Sequence, residues 1–178
     1  MTIEPGDFGL TMEELRVVAR YAVESAQEVL SIFEEDRPDD RRPRAAVEAA
    51  WTFAQGAQRT KLQRITALDA HRAARDATTE AAQAAARAAG DAAAAAYLHP
   101  LAKATQVGHI LRAAAHAARA AELAAGGDQA VGTRLIEQAC QRARPALVGV
   151  LRRYPPAPAS KNRVGQLMKT LDTSLRSF

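Results

Sequence analysis

The chain has 178 residues, 48% of them hydrophobic and only 4% aromatic, with a formal net charge of +4. Alanine alone contributes 43 residues, while Leu, Ile, Val and Phe together number 34. This mixture favours helix at nearly every position and starves a sheet of the side chains it packs with, which excludes all-β and α/β folds; the low net charge excludes disorder. The expectation is an all-α, single-domain bundle of about six to seven helices, since a chain of this length can bury one core.

Residues 1–10 read as an extended arm. Thr11-Met12-Glu13-Glu14 then forms a capping box, in which the Thr11 hydroxyl accepts from the Glu14 amide and the Glu14 carboxylate reaches back. From there Leu15, Val18, Ala19, Ala22, Ala26, Val29, Leu30 and Phe33 recur at three and four residues, predicting a first helix to about Phe33. Pro38 and Pro43 bracket a charged turn, with Asp39 or Asp40 as the expected N-cap of a second helix over 41–55 that Gly56 ends.

A helical stretch opens near Thr60 and should break at Asp76-Ala77-Thr78-Thr79-Glu80, giving helices near 60–76 and 79–97. The second of these is exceptionally rich in alanine. Small side chains let backbones approach closely, which places it in the middle of the bundle. Pro100 suits the first turn of a helix over 100–124, ended by Gly126-Gly127. Asp128 can cap a sixth helix to Arg153, kinked at Pro145. The segment 154–163, with Tyr154-Pro155-Pro156-Ala157-Pro158, reads as a stiff spacer. Val164, Leu167, Met168, Leu171 and Leu175 then form the apolar stripe of a C-terminal helix over 164–178, which docks on its own bundle or pairs with a second copy as a homo-dimer.

Charge is segregated. Residues 1–40 carry 11 acids and 3 bases, and residues 41–178 carry 9 acids and 21 bases. The acids concentrate at Glu34, Glu35, Asp36, Asp39 and Asp40, followed at once by Arg41, Arg42 and Arg44. Two readings stand side by side. In one, Glu34, Glu35, Asp36, Asp39, Asp40 and Arg41 are an exposed corner that meets a basic protein partner. In the other, Asp40, Arg42, Pro43 and Arg44 form an internal network that fixes the turn.

His109, Arg112, His116 and Arg119 fall at i, i+3, i+7 and i+10, a titratable cationic stripe on one helical face able to bind an anion or a partner. No His-x-x-x-His, Glu-x-x-His or Cys-x-x-Cys pairing supplies metal ligands, so no metal is expected. Phosphate-loop, nucleophile-elbow and dinucleotide fingerprints are also missing, so neither cofactor nor catalysis is expected. The sequence pI of about 9.6 keeps a nucleic-acid-associated or enzymatic factor built on the 109–119 stripe as the alternative, although scarce aromatics and scattered bases argue against nucleic acid. A single cysteine, Cys140, and the absence of a basic-then-apolar N-terminal segment point to a reducing cytoplasm, with no membrane attachment.

The stretch Pro38-Asp39-Asp40-Arg41-Arg42-Pro43-Arg44-Ala45-Ala46-Val47-Glu48-Ala49-Ala50-Trp51 resembles a characteristic segment of bacterial immunity proteins with an immunity-protein-five-like domain. Ala70-His71-Arg72-Ala73-Ala74-Arg75 and Ala85-Ala86-Arg87-Ala88-Ala89-Gly90 are similar to the alanine-rich stretches that follow it in that family. The resemblance covers roughly 15–125, and Tyr97 and His99 depart from the family's histidine position. It implies an all-helical, non-enzymatic protein that protects its producer by binding a polymorphic toxin, its cognate partner.

Overall fold

The computed structural model describes residues 8–178. They contain eight α-helices and no strand: α1 (Met12–Asp36), α2 (Arg42–Ala54), α3 (Lys61–Asp76), α4 (Glu80–Ala94), α5 (Val107–Ala124), α6 (Gln129–Arg142), α7 (Pro145–Leu151) and α8 (Arg163–Arg176). Short 3-10 turns at Ala95–Tyr97 and Ala104–Gln106 extend α4 and introduce α5.

Side-chain caps set most helix starts. Thr11 makes the expected box with Glu14, Thr60 makes one with Gln63, and Thr79, Asp128 and Asn162 each accept a first-turn amide. Gly126 and Gly127 stop α5 with φ of 71° and 89°, a left-handed backbone that a side chain would disfavour.

Three boundaries differ from expectation. The helix expected from residue 100 starts only at Val107; Phe8 donates its N–H to the Pro100 carbonyl (3.3 Å), and the Gln106 side chain accepts the His99 N–H (3.0 Å). Pro145 breaks the sixth helix rather than kinking it. Proline drives the residue before it out of the helical region, and Ala143 and Arg144 are both extended (ψ 126° and 157°), so Pro145 opens α7 as a separate helix. The N-cap position of α2 is held by Arg41, not by Asp39 or Asp40. Pro43, in the first turn, has no N–H to cap, and Asp40 accepts the Arg42 N–H instead (3.1 Å).

α4 occupies the centre, packed against α1, α2, α3 and α5. Ala82, Ala84, Ala85, Ala86, Ala88, Ala89, Ala92 and Ala93 are all buried, so methyl groups cover it nearly all round. Larger teeth come from its neighbours: Phe33 of α1, Phe53 of α2, and Ile110 and Leu111 of α5.

The C-terminal helix docks in cis. Leu167, Met168, Leu171 and Leu175 are buried against α5 and α6, so the stripe that could have paired with a second copy faces its own bundle. The proline segment before it is pinned along its length. Tyr154 donates to the His99 carbonyl (2.8 Å) and meets Phe8 edge-on (4.9 Å between centroids). Buried Asp172 accepts the Ala157 N–H (2.9 Å) and the Arg176 guanidinium (2.7 Å). Of the arm expected over 1–10, residues 1–7 lie outside the described residues.

Candidate functional site

The 34–44 corner is built where α1 ends and α2 begins. Arg42 is gripped by Asp40 (Nε to Oδ1 2.9 Å, Nη2 to Oδ2 2.6 Å) and reaches across to Asp76 at the end of α3 (2.7 Å). Arg44 pairs with both oxygens of Glu34 (2.6 and 2.8 Å), and Asp36 accepts the Thr78 N–H (2.8 Å) and hydroxyl. Hydrogen bonding from Arg42 holds the Asp40 carboxyl below its usual range, and Thr78 does the same for Asp36. Pro43 is buried beneath them. Of the residues singled out here as partner-facing, Glu34, Asp36 and Asp40 are thus engaged within the chain, while Glu35, Asp39 and Arg41 remain exposed.

The 109–119 stripe divides. His116 Nδ1 lies 2.6 Å from Asp91 Oδ2, a buried carboxylate on α4 that also faces His71 of α3 at 3.6 Å. Arg119 donates to Glu122 (3.1 Å). His109 is half-buried, and burial pushes its pKa down, with Arg112 adding to the effect; burial also lowers His71 despite the nearby Asp91. Arg112, His116 and Arg119 share a cleft that His109 does not line. Among the described residues no group of three or more His, Cys, Asp or Glu is arranged to hold a metal ion. No described helix is long and apolar enough to cross a membrane.

A third surface escaped the sequence reading. α3 buries Gln63, Thr66, Ala67, Ala70, Ala73 and Ala74, a face made mostly of small side chains, and turns its large apolar residues outward. Leu62, Ile65 and Leu68 are 48%, 53% and 52% exposed. Gln63 fixes this rotation, its amide donating to the Ala49 carbonyl of α2 (3.1 Å) while its oxygen accepts the Thr60 N–H. At 100° per residue, Lys61, Ile65, Leu68, Arg72 and Arg75 lie within one narrow outer sector, an apolar ridge edged by cations. The detectable signal was a helix whose alanines already supply a complete buried stripe, leaving its leucines and isoleucine with no core to fill.

These features define a class: an alanine-cored helical bundle whose distinctive side chains lie on its exterior. The chain belongs to the Imm-5 like putative immunity protein family, whose model matches residues 10–145. α8 and nearly all of α7 lie beyond that match. No curated protein and no solved structure matches the chain significantly.

Proposed function

We propose that the protein is an immunity factor that neutralises a toxin by direct, non-catalytic binding, and that the outer face of α3 is central to the contact. The observation that carries this reading is the exposed pair Ile65 and Leu68, with Leu62 exposed on its flank. Large apolar side chains aligned on one rigid helix are the kind of feature that marks protein contact surfaces on soluble domains. Lys61, Arg64, Arg72 and Arg75 outnumber Asp69 and Asp76 along it, so the complementary partner presents apolar groups flanked by carboxylates. The ridge ends beside the corner, where Asp76 meets Arg42. Family membership supports a toxin as the partner.

The test pairs stability with protection. Ile65→Asp together with Leu68→Asp should melt within about 2 °C of the parent, because neither side chain is in the core. Its affinity for a toxin domain encoded beside the gene should fall by about 30-fold or more, the range of a lost interface anchor, and co-expressed cells should lose protection. Unchanged protection by the paired variant would refute the role of α3.

A further inference from the structure

A cleft of about 630 Å³ opens between α4, α5 and the segment that leads into α8. Its lining includes Arg87 of α4, Arg112, His116 and Arg119 of α5, and Arg163 of α8, and no described carboxylate. The acids that balance these cations lie beneath the wall. Glu122, 0% exposed, binds Arg163 through Nε (3.0 and 3.1 Å) and Nη2 and accepts from Arg119, while Asp91 holds His116. Of the four guanidinium groups only Arg119 and Arg163 meet a carboxylate, the shared Glu122, while Asp91 is taken up by histidine, so the cleft keeps an excess of positive charge. Arg87 and Arg112 have no ion-pair partner among the described residues.

We propose that this cleft binds an oligophosphate anion, such as pyrophosphate or the phosphate tail of a nucleoside diphosphate. Guanidinium groups match phosphate oxygens in pairs and stay charged at any physiological pH. The first turn of α8 adds a second, independent source of positive potential. Asn162 and Gly165 line the cleft, Asn162 caps only the Gly165 N–H (2.8 Å), and the N–H groups of Arg163 and Val164 have no acceptor within their own helix. Ser160 adds a hydroxyl donor at the rim. Glu122 fixes two of the arginines before any ligand arrives, so little side-chain freedom remains to be lost on binding. The only ring in the lining besides proline is the His116 imidazole, held through Nδ1 by Asp91, so the charges of the four arginines dominate recognition and the phosphates are the groups they read. The cleft joins the family-matched helices to residues 158–168 beyond the match, so the C-terminal segment completes it. This inference does not depend on the role of α3.

The probe is inorganic pyrophosphate, titrated calorimetrically into the full chain, with sulfate at matched ionic strength as control and ADP as a second ligand. We expect one saturable pyrophosphate site per chain and only a weak response to sulfate. Arg87→Ala with Arg112→Ala should weaken pyrophosphate by about tenfold or more, as loss of a charge-assisted bond implies, without lowering the melting temperature of the unliganded protein. ADP binding within a few-fold of pyrophosphate would assign the site to the phosphates alone, and much tighter ADP binding would assign its source as a nucleotide; both support the proposal. Absence of saturable pyrophosphate binding, an equal response to sulfate, or full retention of binding in the double variant would each overturn it.

Discussion

Replacing Arg163 by alanine should destabilise the protein by about 3 kcal/mol or more, the cost of stranding one member of a buried ion pair. The reason lies with its partner. Glu122 is completely buried, and Arg163 supplies most of its hydrogen bonds; with that guanidinium gone, Arg119 alone must balance the charge. The carboxylate cannot swing out to water, because α6 packs over it at Gly132, where even a Cβ would collide with the Glu122 side chain. The same pair is one of the contacts that tie α8 to α5, so its loss also weakens that docking. Chemical denaturation of Arg163→Ala checks this, with Arg163→Ala/Glu122→Leu as the second variant. Removing both charges should recover part of the lost stability, because the penalty comes from the unpaired carboxylate; no recovery would contradict the explanation.

Enlarging the core of α4 should be nearly as costly. Ala89 is fully buried on a helix enclosed by α1, α2, α3 and α5, and Ala89→Leu adds three carbons where methyl groups set the spacing. Overpacking of this kind costs about 1–3 kcal/mol and occasionally more, since backbones must separate or rotamers strain. An exposed leucine at Arg87→Leu would not meet that constraint. A melting temperature for Ala89→Leu equal to that of the parent would mean that α4 is not closely packed.

Local chemistry made most of the fold legible. The Thr11, Thr60, Thr79 and Asp128 caps, the Gly126-Gly127 stop and the break after Asp76 all act within four residues of the backbone they satisfy, so they can be read from neighbours alone. The alanine run likewise announced a central helix. What stayed hidden depends on distant partners. Nothing near Glu122 in the sequence points to Arg163, 41 residues away, and nothing near Asp91 points to His116 and His71, which fold against it. The charged corner was read as two alternatives because composition cannot say which acids reach an arginine. In the folded chain Glu34 pairs with Arg44 and Asp40 with Arg42, while Asp39 is exposed. On α3 the usual assumption failed, since leucine and isoleucine at helical spacing read as core, yet alanines hold that position.

The proposed inhibition works by occupancy rather than by turnover, and a titration tests it most directly. A purified toxin domain encoded beside the gene, held at fixed concentration well above the dissociation constant, is mixed with increasing amounts of this protein and its residual activity followed over time. Inhibition should be complete at one equivalent, constant with time, and reversed when the complex is dissociated. Progressive and lasting inactivation by a small fraction of an equivalent would show that the protein acts as an enzyme and contradict the account.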